Sequence, residues 1–227
     1  TTEILELKTG LEKQSFQASF IKAENIMGKY CWQALSDQTR LYLATAEQVW
    51  SVLVEEEEKP DFSLVGMELC KALETEINRC LVKPFVGYLN GKEEEFLKIN
   101  QIGDDKSRPL YFTYLAKVVD SVHYPEITSL TLGQFLFILE HTLEGDFALS
   151  HYEDFMDGIN NIAGNIMGKA FLSNLKTVVK RYRNLIAHYS PMDEQQLQHL
   201  RELVFVGDNS LLQICSQIIL CQEKQTL

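Results

Sequence analysis

No run of this sequence approaches the roughly 20 consecutive apolar residues that a membrane-spanning helix needs, so no membrane partner is expected. Thr1–Leu11 has neither the basic start nor the apolar middle of a secretory signal. The chain opens without Met, which fits a portion of something longer. Cysteine is scarce: Cys31, Cys70, Cys80, Cys215 and Cys221 form no C-x-x-C pair and no metal-ligand spacing. Each sits among apolar residues, as a buried small hydrophobe would, and a reduced, cytoplasmic setting is expected. Phosphate-cradling glycine loops of the G-x-x-x-x-G-K-[ST] or G-x-G-x-x-G kind are missing. His123, His141, His151 and His199 lack the i, i+4 acidic or histidine partners that would complete a metal site, and Glu74 and Glu76 fall on different helix faces. No metal and no cofactor is expected.

Basic charge is also in deficit. The net charge is −11, which argues against binding nucleic acid over the whole surface, because phosphates would be repelled across most of it. One segment reverses that sign. Lys169–His188 holds five Lys or Arg (Lys169, Lys176, Lys180, Arg181 and Arg183) and no acid. At helical spacing Leu175, Val178, Val179, Tyr182, Leu185 and Ile186 make a core face, and Lys169, Lys176, Lys180 and Arg183 make a ridge. Arg181 and His188, seven apart, share a third face. Arg183 and His188 diverge on an ideal helix, but Pro191 pushes the residue before it off the α region and loosens the last turn near Tyr189.

The remainder reads as helix throughout, with no period-2 alternation to suggest a strand. Thr1–Leu35 carries apolar residues such as Leu7, Leu11, Phe20, Ile21 and Trp32 at mixed helical spacing. Ser36 or Asp37 caps a helix to about Glu57, which runs out in the charged residues Glu55–Lys59 and stops at Pro60. Asp61 and Ser63 cap the next, which Pro84 ends or kinks. Lys92–Leu130 looks like an insertion, with a short acidic helix, an irregular part holding Gly103, Asp104 and Asp105, and a helix over Leu110–Val119. In that helix Tyr111, Phe112 and Tyr114 read more safely as core than as base-stacking groups. Thr131 opens a helix ending near Gly145, and the long basic helix starts between Tyr152 and Lys169. Ser190-Pro191-Met192-Asp193 reads as an N-cap, a proline at the first helical position and an acid at the third. Asn209 or Ser210 starts the last helix. Asn-Ile-Met-Gly-Lys occurs at Asn25–Lys29 and at Asn165–Lys169, but the flanks differ and imply no duplication. The expected fold is an all-α antiparallel helical bundle. Residues 1–60 would form an N-terminal arm or the end of a preceding domain, and 61–227 the bundle, with the insertion at about 92–130.

Arg183-Asn184-Leu185-Ile186-Ala187-His188 resembles the hallmark of the HEPN ("higher eukaryotes and prokaryotes nucleotide-binding") superfamily of four-helix bundles. That hallmark is an Arg, often followed by a polar residue, then a His after four to six residues; here four intervene. The resemblance covers roughly the last two-thirds of the chain. It implies a metal-independent endoribonuclease, acting as a homodimer on RNA, of the kind used as a toxin or defence effector and held by a regulatory or antitoxin protein. The implied roles are catalytic for Arg183, His188 and Asn184, and substrate-binding for Lys176, Lys180 and Arg181. In the branch controlled by nucleotidyltransferase antitoxins a Tyr lies two residues after the His. Here that position is Ser190, and Tyr189 is adjacent to His188 instead. A different class of function also fits, a non-catalytic helical bundle that binds a protein or nucleotide partner.

Overall fold

The computed structural model describes residues 2–55, 60–98, 109–145, 149–164, 167–188, 190–207 and 209–225, with residues 2–14 and 225 described as backbone only. The expectations for Glu56–Lys59, Gly103–Asp105, Asn165 and Tyr189 lie outside those described residues, as do those for the side chains of Leu7 and Leu11. The fold is all-α, with no strand among the described residues. Its α-helices are α1 (Thr2–Met27), α2 (Lys29–Ala34), α3 (Asp37–Val54), α4 (Ser63–Ile77), α5 (Lys83–Tyr88), α6 (Glu93–Lys98) and α7 (Leu110–Val119). They continue as α8 (Leu132–Leu143), α9 (Ser150–Ala163), α10 (Lys169–Thr177), α11 (Asn184–Ala187), α12 (Glu194–Val204) and α13 (Leu211–Gln225). Among the described residues two π-helical segments, Asn78–Val82 and Val178–Arg183, interrupt this series. Among the described residues no helix is long and apolar enough to cross a membrane.

The chain forms two compact units, 1–76 with 180–217, and 77–179 with 218–227. In the first, α1 packs along α3. Gly28, at φ 76°, breaks the first helical stretch, a left-handed conformation that glycine alone adopts without cost. The Ser36 hydroxyl then caps α3 by accepting from the Thr39 N–H. The Ser36 N–H donates to the buried Glu76 carboxylate at 2.7 Å, tying the start of α3 to the end of α4. Deeper in this unit Glu47 is fully buried and pairs with Arg201 of α12, while Lys22 of α1 reaches its second oxygen at 3.0 Å. The Arg201 guanidinium stacks 3.8 Å from the centroid of Trp50.

In the second unit α8 packs against α7, α9 and α10, α6 lies against α7, and α5 lies against α9. Thr131 and Gln134 form a capping box at α8. Pro84 neither ends the chain's helical path nor leaves it regular. It sits in the first turn of α5 after the π segment Asn78–Val82. Pro84 has no N–H for the Cys80 carbonyl four residues earlier; the Gln222 amide donates to that oxygen instead, at 3.2 Å. Asn78 bridges to the backbone before α8, its amide nitrogen donating to the Leu130 carbonyl and its oxygen accepting from the Leu130 N–H, both at 2.7 Å. α9 stops at Gly164 in the left-handed conformation (φ 77°), so the basic helix begins separately at Lys169. Phe112 and Tyr111 are buried, as core residues.

Candidate functional site

The helix bearing the Arg–His motif is built as its periodicity dictates on the apolar side. Leu175, Val178, Val179, Tyr182 and Ile186 are buried, with Leu185 half-buried. What periodicity did not indicate is the π-helical stretch Val178–Arg183, which ends on the motif arginine. A π turn inserts a residue into the α repeat and re-aims the side chains that follow, and such segments recur at functional sites.

Lys180 and Arg181 are exposed, Arg183 and Asn184 half-buried, and His188 exposed. Arg183 donates from Nη1 to the Asn184 Oδ1 at 3.5 Å, a long bond. His188 is the C-cap of α11, with φ −100° and ψ 18°, and its N–H bonds back to Asn184 and Leu185. The expected loosening therefore falls on His188 itself, and the Ser190 N–H turns back to the Leu185 carbonyl. Among the described residues no hydrogen bond joins Arg183 to His188. Lys176 belongs to the second unit, where it is exposed and pairs with Glu140 at 2.9 Å. Lys180, Arg181, Arg183, Asn184 and His188 all belong to the first.

Several contacts that sequence spacing does not name hold the motif in position. Tyr182 is fully buried and its hydroxyl meets the Nδ1 of His199 on α12. Burial raises the Tyr182 hydroxyl above its ordinary value, with nearby Arg181 acting against that rise and Asp193 with it. Gly66 of α4 lets Ile186 and Met192 approach so closely that an added Cβ would lie 2.9 Å from Ile186 Cδ1. Cys70, one turn further along α4, is buried. Burial lifts its thiol to about 12, with the Arg183 guanidinium opposing the rise.

The turn after His188 is clamped to the start of α4. One Asp61 oxygen accepts from the Ser63 N–H, the Ser63 hydroxyl and the Met192 N–H, at 2.9, 2.6 and 2.9 Å. The Ser63 hydroxyl oxygen also lies 3.2 Å from the Ser190 carbonyl, a second acceptor for its one proton. Partial burial works to raise the Asp61 carboxyl, but these hydrogen bonds outweigh it and hold the group below its ordinary value. The reading of Ser190 as an N-cap is corrected by this geometry. Asp193 is the N-cap of α12, in a capping box with Gln196, because its carboxylate accepts the Gln196 N–H while Asp61 occupies the Met192 N–H.

No protein-family model, curated protein or solved structure matches the chain.

Among the described residues no three His, Cys, Asp or Glu side chains gather as a metal site would require. Chemically, the motif offers an accessible imidazole, and a guanidinium whose planar fork of donors lies beside an amide.

Proposed function

We propose that this chain is a HEPN-type, metal-independent endoribonuclease, working as a homodimer and serving as a toxin or defence effector. RNA carries its own nucleophile: the 2′-hydroxyl attacks the adjacent phosphorus, and the 5′-oxygen leaves, giving a 2′,3′-cyclic phosphate and a 5′-hydroxyl. The protein need supply only proton transfer and stabilisation of the extra negative charge. His188 transfers the proton, Arg183 faces the developing charge with its fork of donors, and Asn184 orients the guanidinium. Lys180 and Arg181 hold flanking phosphates without reading sequence.

The observation that carries this reading is the exposure of His188 at a helix end, five residues from a half-buried Arg183. A merely structural histidine in this chain would more economically be buried or bonded, as His199 is to Tyr182. One observation favours the second reading, a non-catalytic bundle that binds a protein or nucleotide partner: Arg183 and His188 share no hydrogen bond within one chain.

The deciding experiment incubates the purified protein with mixed RNA in EDTA, beside His188→Ala and Arg183→Ala. Cleavage by the wild type alone, leaving cyclic phosphate ends, is expected, with both variants folded by circular dichroism. Cleavage equal in all three, or in none, overturns the enzyme reading.

A further inference from the structure

We propose that the second unit carries a binding groove for a small hydrophobic organic cation, with Asp154 as its counter-ion. The groove has a volume of about 480 Å³ and lies between α5, α9 and the Gln222 end of α13. That size suits a small organic molecule. It lies wholly within the second unit, apart from the motif arginine and histidine, and does not rest on the ribonuclease reading.

The sequence of α9 makes the groove. Asp154 and Gly158 are four apart, as are Phe155 and Ile159, so each pair stacks on one side of the helix. Phe155 and Ile159 are nearly buried and form an apolar floor. Gly158 has no side chain, and a Cβ built there meets no atom within 4 Å, so the space above it is open. Glycine inside a helix costs about 1 kcal/mol relative to alanine, a cost with no return in turn geometry here.

Tyr88 closes one wall. It is 45% exposed, and its ring lies 5.7 Å from that of Phe155 at 51°, so the two rings form a wedge. A cation within about 6 Å of such ring faces is attracted by their negative charge.

Electrostatics choose the sign. α9 carries the exposed acids Glu153, Asp154 and Asp157 and no Lys or Arg. Asp154 lines the groove and makes no hydrogen bond or ion pair with any described residue. An anion would be repelled there. A neutral apolar molecule would strip water from the carboxylate without replacing it. An ammonium group attached to an apolar body satisfies the carboxylate, the ring faces and the floor together.

Benzyltrimethylammonium is the probe, titrated into the full chain and followed by ¹H–¹⁵N spectra, with 2-phenylethanol as its neutral counterpart. Expected are saturable shifts centred on Tyr88, Asp154 and Gly158 for the cation, with at least a tenfold weaker response to 2-phenylethanol. Asp154→Asn should weaken the cation at least tenfold, and Gly158→Leu should abolish it by filling the open space. Gly158→Leu introduces a strong helix former, and thermal melting checks that it folds; Asp154→Asn alone decides the matter if it does not. Equal response to both probes, shifts scattered over the surface, or binding unchanged by Asp154→Asn would overturn the proposal.

Discussion

Arg201 donates through its guanidinium to the fully buried carboxylate of Glu47, two residues 154 positions apart in sequence. Arg201 is itself almost completely buried, flanked by Trp50 and Phe205. Removing one partner strands a charge out of water, at about 3–5 kcal/mol. Urea denaturation of Glu47→Ala should show a loss of that size. Lys22, which is 48% exposed in its pair with Glu47, should cost less than about 1 kcal/mol when changed to Ala. Replacing Glu47 and Arg201 together by Leu and Met should recover most of the single-variant loss, since an apolar pair of similar bulk needs no partner. A double variant as unstable as Glu47→Ala would refute this account.

The Tyr182 hydroxyl is predicted to tie the motif helix to α12. Tyr182→Phe keeps the ring and deletes the contact with His199, so stability should fall by about 1 kcal/mol. If cleavage is established, the same variant should slow it while leaving RNA affinity nearly unchanged, because Arg183 follows directly in the chain. Equal losses in rate and affinity would assign Tyr182 a different part.

Asp61 gives a pH signature. Its carboxyl lies below the usual value of about 3.8, so the stability its ionised form contributes is present above that value. That contribution disappears as pH falls through the lower, folded-state value. Wild type should therefore exceed Asp61→Ala by a constant margin from pH 7 to about pH 5, and the margin should shrink below about pH 4. Denaturation midpoints across that range test it; a margin that grows on acidification has the wrong sign.

Asn78 satisfies both the N–H and the carbonyl of Leu130. Asn78→Ala leaves two buried backbone groups without that partner, at about 1–3 kcal/mol each before any relaxation. A total loss near 2–4 kcal/mol is expected in thermal or chemical unfolding. A loss below 1 kcal/mol would mean that water or another donor takes over.

The five cysteines, none of them in a disulfide, should separate by burial. Cys31 and Cys221 are partly accessible and should react with a thiol reagent at pH 8 in the native protein. Cys70, Cys80 and Cys215 are buried and should react only on unfolding, which also releases the Cys70 thiol from the burial that holds it near 12. Labelling with mass readout before and after denaturant measures this directly.

What the sequence by itself determined is local. Helix-period apolar spacing set the all-α class. Ser36, Asp61 and Thr131 marked helix starts because a side-chain oxygen within three residues can satisfy a free N–H. The motif's composition was visible too, as were its buried face and its end near His188. Tertiary structure decided what depends on atoms far along the chain. The π segments re-aim residues through packing that no i, i+4 pattern encodes, and Asp193 rather than Ser190 caps α12 because Asp61 holds Met192. The Glu47–Arg201 pair and the open space above Gly158 belong to the same kind. In each, the energy comes from a partner that sequence spacing cannot name, because it is delivered by the packing of another helix.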